Sequence, residues 1–282
     1  MTAAHSLDGK VALVTGAGRP RGIGRAAAIE LARAGADVIV TDLARPGPRI
    51  AGIPAVAEDD TGLHEAAAEI VSLGRRSLAL PLDVTNEADV VAAVDAAGAQ
   101  FGSIDILFNN AGTAVGVKPF MELSTHDWET SWQVHVMAMV YTCRAVVPIM
   151  QQRGGGVIIN NSSASGLRAL PGYGAYTATK HAVIGLTKTL ALEFGAAGIR
   201  AVSICPGDID TDMTDIGMAL AVEYGGVDPA EQASLAPIDT IGLRRRGQPE
   251  EVGRVVAWLA SDGASYISGN SMLIDGALME GN

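Results

Sequence analysis

Tyr176 and Lys180 are four residues apart in a segment with helical patterning, so a helix would carry both on one face. A phenol ordinarily titrates near pH ~10, and to work as a base near neutrality its pKa must fall by ~3, worth ~4 kcal/mol. A lysine ammonium at ~4 Å supplies about that much at an effective dielectric of ~20. The pair can therefore make a tyrosine acid/base. Thirteen residues before Tyr176, the run Asn161-Ser162-Ser163 closes an apolar stretch. A hydroxyl there could hold a substrate oxygen beside the phenol.

A second constellation lies near the N-terminus. An apolar run ends in Thr15-Gly16-Ala17-Gly18-Arg19-Pro20-Arg21-Gly22-Ile23-Gly24, and a helical pattern follows. Glycines let a backbone turn tightly and approach a pyrophosphate, and the helix start offers unpaired N–H groups and a positive dipole end. Asp42 closes the next apolar run. A carboxylate there can accept both ribose hydroxyls of NAD and repel the 2′-phosphate of NADP. Arg19, Arg21 and Arg45 pull the other way, since each could meet that phosphate. Asn109-Asn110-Ala111-Gly112 and Pro206-Gly207-Asp208-Ile209-Asp210-Thr211 close two further runs.

The elements that must position these residues are legible from the patterning. Short β-branched runs at 11–15, 37–42, 77–81, 104–109, 156–161, 200–205 and 271–275 read as strands. Longer segments at 22–34, 61–73, 87–100, 125–152, 173–194 and 249–261 read as helices. Strands apolar nearly throughout are covered on both faces. The alternation predicts an α/β fold: one doubly wound, Rossmann-type parallel sheet of about seven strands with helices on both faces. Ligands then lie at the carboxyl ends of the strands, where all of these motifs fall. A single domain over 1–282 is expected, with long connections at 44–60 and 211–247 as functional rims.

The net charge of −11 disfavours phosphate backbones and anionic membranes as partners. Cys143 and Cys205 have no ligand or CxxC spacing and read as buried thiols of a reducing compartment. No signal-like stretch opens the chain and no apolar run approaches ~20 residues, so a cytoplasmic protein that spans no membrane is expected. His5, His64, His126 and His181 show no ligand spacing, and no metal is expected.

Taken together, the motifs resemble those of the short-chain dehydrogenase/reductase family over roughly residues 7–276. They include Asp83-Val84 and the C-terminal Gly247-x-Pro249-Glu250-Glu251-Val252, Ser268-Gly269 and Asp275-Gly276. The resemblance implies Tyr176 as proton donor or acceptor, Ser163 orienting the carbonyl or alcohol, and Lys180 holding the nicotinamide ribose and lowering the tyrosine pKa. It sets Asp83 and Val84 at the adenine edge and Asn110, Ala111 and Gly112 along the adenosine ribose. Ile209 and Thr211 would hold the carboxamide, Pro206 and Gly207 would line the dinucleotide side, and the chain from Thr211 would form a mobile substrate loop. It also implies a homotetramer in which helices 125–152 and 173–194 pair between subunits.

Three departures stand out. Five residues separate Gly16 from Gly22 where the family has three, so either Arg19-Pro20 is inserted or Gly18 takes the first glycine place. The last strand runs into Asp275-Gly276-Ala277 without a paired glycine. His135 stands seven residues after Trp128, where the family usually has an asparagine that holds a helix kink and a proton-carrying water. It is either a packed core histidine or a relay replacing the amide. The 44–60 extension resembles that of carveol-dehydrogenase-like members, which use NAD on secondary alcohols. The expected activity is hydride transfer between NAD(H) and a secondary alcohol/ketone pair. The alternatives are an NADPH-dependent 3-oxoacyl thioester reductase and a non-catalytic dinucleotide-binding protein.

Overall fold

The computed structural model describes residues 5–43, 60–225 and 238–279. Seven strands form one sheet in the order β3-β2-β1-β4-β5-β6-β7: β1 (Val11–Thr15), β2 (Asp37–Asp42), β3 (Ser77–Pro81), β4 (Ile106–Asn109), β5 (Gly156–Asn161), β6 (Ile199–Pro206) and β7 (Ser271–Ile274). Every pairing is parallel. The sheet is covered on both faces, which is why its strands are apolar throughout. On one face Leu31 of α1 (Ile23–Arg33), Ile70 of α2 (Thr61–Ser72) and Val256 of α8 (Pro249–Ala260) are buried in one core cluster. On the other, Val94 of α3 (Glu87–Phe101), Val146 of α5 (Ala138–Gln152) and Val183 of α6 (Gly174–Phe194) are buried in a second.

The order reverses between β1 and β4, and the crevice at that switch point is where an open α/β sheet binds ligands. The registers line up the functional strand ends. Asn109 pairs with Asn160, and Asn161 pairs with Ile204. The Asn109 amide donates to Asn160 Oδ1 at 2.8 Å, joining β4 to β5.

Three expectations need correction. The fourth strand begins at Ile106 rather than at 104, because Asp105 turns its carboxylate to Val11 N (2.9 Å) and the Ser103 hydroxyl (3.0 Å) and so braces the start of β1. The expected long rim at 211–247 contains a helix, α7 (Asp212–Gly225), and a 3-10 turn at Ile238–Thr240. Its partners are remote in sequence: Ile216 and Leu220 pack on Ala114 and Val117 after β4. The 125–152 helix has the length and apolarity of a membrane span, contrary to the expectation of none. Half of its most apolar 18-residue stretch is buried inside the chain, and Val136, Met139, Cys143, Val146 and Met150 are buried in the core, so packing accounts for that part of its apolar character. It is also interrupted: α4 (Thr125–Trp132) passes through a π-helical turn at Gln133–Met137 before α5. Such turns are rare and recur at functional sites. The 44–59 part of the extension, with Arg45, lies outside the described residues.

Candidate active site

A cleft of about 340 Å³ runs along the strand ends, lined by residues of the glycine loop, Asp42, Asp83, Val84, Asn110 to Val115, Ser163, Tyr176, Lys180 and Pro206 to α7. At its first end Gly16 makes the turn out of β1, with a φ of 71° open to glycine. A β-carbon on Gly24 would lie 2.2 Å from the Gly16 carbonyl, so α1 can pack this close to the loop only with glycine there. Gly16, Gly22 and Gly24 thus take the turn, helix-start and packing places. Gly18 does not take the first place: it gives its N–H to Asp42 Oδ2 at 2.7 Å. The two added residues form a turn closed by Gly22 N to Arg19 O at 3.0 Å. Gly22 begins α1 with no side-chain cap, and Gly22 and Ile23 face the cleft. An uncapped helix start here, with Asp42 at the end of β2, is a donor and acceptor set that fits a dinucleotide's pyrophosphate and ribose.

Arg21, Asp83, Asn110 and Thr211 line the cleft, and their side chains also hold other parts of the protein. Arg21 lines the cleft rim, but its guanidinium is held by Asp210 (2.7 Å), Asp215 (2.9 Å) and Asp212 (3.5 Å), clasping the glycine loop to the start of α7. Asn110 turns its side chain into the protein. Its amide donates to Thr15 O (2.9 Å) and Gly16 O (3.0 Å), and its oxygen accepts from Asn161 Nδ2 (2.9 Å). It staples β1, β4 and β5 at the switch point. Thr211 caps α7, accepting from Thr214 N at 3.2 Å. Asp83 uses Oδ1 to hold Thr85 N and Oγ1. Ala111, Gly112, Val84, Pro206, Gly207 and Ile209 all line the cleft.

At the other end Ser163, Tyr176 and Lys180 converge. The Ser163 hydroxyl lies near enough to the Tyr176 phenol to favour its ionised form, and it accepts from Ser165 N at 3.1 Å. Lys180 Nζ donates to Asn161 O at 2.9 Å and lies 5.4 Å from the Tyr176 ring centroid. Burial dominates both groups. It pushes the phenol up to about 12, against the effect of the Ser163 hydroxyl, and brings the Lys180 ammonium down to about 8. In the protein alone Tyr176 is a protonated donor and Lys180 is still charged at neutrality.

His135 sits in the π-helical turn, buried, its ring 5.3 Å from that of Tyr176. Thr113 N donates to Nε2 at 3.1 Å, so that nitrogen carries no proton. Nδ1–H is then the donor to Thr179 Oγ1 at 3.1 Å, with Ser131 Oγ at 3.3 Å, and Thr179 Oγ1 donates to Tyr176 O at 2.9 Å. Burial first, and the Lys180 charge second, hold the imidazole well below its usual range. These contacts favour the core reading over the relay: both nitrogens are engaged by the protein, and the ring joins the β4 end to the Tyr176 helix. Behind it a cavity of about 20 Å³, room for one water, is lined by His135, Asn161 and Lys180. The buried Asn161 Oδ1 is unpaired in the protein.

Sequence reasoning missed Thr113, Ser131 and Thr179, whose roles appear only when three elements meet at one imidazole. It also missed Tyr173, whose ring lies 6.0 Å from that of Tyr176. Its spacing of three residues before Tyr176 in a helical pattern was the available signal. Among the described residues no cluster of three or more His, Cys, Asp or Glu side chains is arranged for a metal.

A family model described as enoyl-(acyl carrier protein) reductase matches residues 16–278. The chain is 39% identical over 277 residues to an uncharacterised NAD-dependent oxidoreductase of Mycobacterium tuberculosis, with 97% of each chain covered. It is 36% identical to the cyclohexanol dehydrogenase of an Acinetobacter strain, covering 97% of this chain and 96% of that one. Among solved structures, NAD+-bound xylitol dehydrogenase superposes with a TM-score of 0.85 at 31% identity, covering 95% of this chain and 98% of that one. With full-length relatives at this identity and one parallel seven-stranded sheet, the chain belongs to the short-chain dehydrogenase/reductase family.

Proposed function

We propose that Ser163, Tyr176 and Lys180 carry the hydride chemistry of this chain, with Asp42 selecting the cofactor. The chain is an NAD-dependent oxidoreductase acting on CH–OH groups, interconverting a secondary alcohol and its ketone. The observation that carries the reading is the convergence of a buried phenol, a serine hydroxyl beside it and a buried ammonium at one end of a cleft. At the other end the cleft offers a carboxylate and an uncapped helix start. Bound there, NAD supplies the hydride acceptor and a positive ring that favours loss of the phenol proton.

The chain's residues do the rest. Ser163 fixes the substrate oxygen, Tyr176 takes its proton in oxidation or gives it in reduction, and Lys180 holds positive charge beneath the phenol. The small cavity beside Lys180 and Asn161 has room for one water that could accept that proton. The NADPH reading is the weaker one. Arg21 is held by three carboxylates and Arg19 faces Asp42. We place the enzyme in the cytoplasm, a reading supported by two buried free thiols. We read it as a homotetramer paired through 125–152 and α6, a reading supported by the exposed Trp132 on the first and Leu192 on the second. Absorbance of NADH formed from NAD and a panel of secondary alcohols tests the function. Turnover with NAD is expected. Turnover with NADP alone, or none while NAD binds, contradicts it.

A further inference from the structure

Of the relatives described above, one is named for an apolar ring alcohol and another for a polyol. The lining of the cleft distinguishes the two. Among the described residues, its charged side chains are Arg19, Arg21, Asp42, Asp83 and Lys180. The first four come from the loops after β1, β2 and β3, the dinucleotide end, and Lys180 lies beneath the phenol. Past Ser163 and Tyr176 the walls are Ala114, Val115, Met213, Thr214 and Ile216.

Two hydroxyls near those walls are held within the protein. Thr214 Oγ1 donates to Ile209 O at 2.6 Å, and Thr113 Oγ1 accepts from Val115 N at 3.1 Å. The Asp210, Asp212 and Asp215 carboxylates are turned to Arg21. Tyr173 packs against the Ala114, Val117, Ile216 and Leu220 cluster, and its hydroxyl lies against Gly217 of α7. Among the described residues, a substrate past Ser163 and Tyr176 meets walls that are mostly carbon and carry no charged side chain. A second hydroxyl on the substrate would be desolvated against those walls, and that penalty is large for buried polar groups.

We infer that the substrate is an apolar secondary alcohol, a ring or branched hydrocarbon body with one oxygen, packed between the 113–117 segment and α7. Polyols and sugars are then excluded by their extra hydroxyls. The inference rests on the alcohol dehydrogenase reading and specifies its substrate.

The test measures kcat/KM for NADH formation with cyclohexanol, decalin-2-ol, cis-1,2-cyclohexanediol, myo-inositol and xylitol at saturating NAD. One of the two ring alcohols is expected to be best, with kcat/KM falling ~10- to 100-fold for each hydroxyl added next to the reacting carbon. Met213→Gln puts an amide on the wall at nearly constant volume. It is expected to narrow the ratio of cyclohexanol to diol by ~10-fold. Polyols turned over as well as or better than both ring alcohols would overturn the apolar pocket and leave the reaction standing. No NADH from any of the five, with NAD bound, would overturn the reaction and this inference with it. An unchanged ratio in Met213→Gln would remove α7 from the pocket wall and overturn the placement.

Discussion

Replacing His135 separates a brace from a proton relay. In His135→Ala the Thr113 N–H loses its acceptor at Nε2 and Thr179 loses the Nδ1 donor. A stranded buried N–H costs ~1–3 kcal/mol and the void left by the ring adds to it, so about 2–4 kcal/mol in all is expected. His135→Asn keeps an acceptor and a donor on a smaller side chain and is expected to cost about 1 kcal/mol. The pH dependence supplies an independent readout. Burial holds the folded imidazole well below 6.5, so the unfolded chain binds the extra proton first as pH falls. Stability from the neutral ring is therefore full above pH ~6.5 and is lost below it, by ~1.4 kcal/mol per pH unit. Urea unfolding at about pH 7.5 and about pH 5.5 should show wild type losing ~1.4 kcal/mol more than His135→Asn over that interval. Turnover per folded enzyme should change by less than about threefold in His135→Asn. Equal pH slopes in the two proteins would refute the buried neutral imidazole. A large loss of turnover with stability unchanged would restore the relay.

Other perturbations read other parts of the site. Asp42→Asn removes a charged acceptor at the end of β2 and should cut the preference for NAD over NADP by ~10²-fold, measured as the ratio of kcat/KM values. Arg21→Ala frees the start of α7 from the glycine loop. Limited proteolysis between 212 and 240 should then run several-fold faster with the melting temperature nearly unchanged, because the clasp lies at the surface. Asn110→Ala strands the Thr15 and Gly16 carbonyls and the Asn161 amide and should cost about 2–4 kcal/mol in urea unfolding.

The parallel sheet was legible because its strands are buried on both faces and bounded by glycines and helical periodicity. The chain's belonging to its family followed from motifs most of which fall at strand ends, with Tyr176 and Lys180 on the helix after β5. What local patterning could not supply was contact between distant segments. The helix α7 reads as a loop because its partners, Ala114 and Val117, are about a hundred residues away. Arg21 looked like a phosphate ligand because the three carboxylates that hold it come from 210–215. His135 was visible as an oddity in an apolar stretch. Its tautomer, and with it the choice between brace and relay, depended on Thr113 and Thr179. The spacing of Tyr176 and Lys180 fixed a shared helix face but not the 5.4 Å between ammonium and ring, or the burial that raises the phenol.

The most direct test of the central claim is Tyr176→Phe, assayed for turnover and for NAD affinity on the same preparation. The substitution removes the hydroxyl proposed to exchange a proton with the substrate and leaves the glycine loop and Asp42 untouched. The account predicts an NAD dissociation constant within about twofold of wild type and a kcat lower by ~10²-fold or more. A variant that binds NAD and turns over at a rate near wild type would show that another group moves the proton, and the assignment of Tyr176 would be wrong.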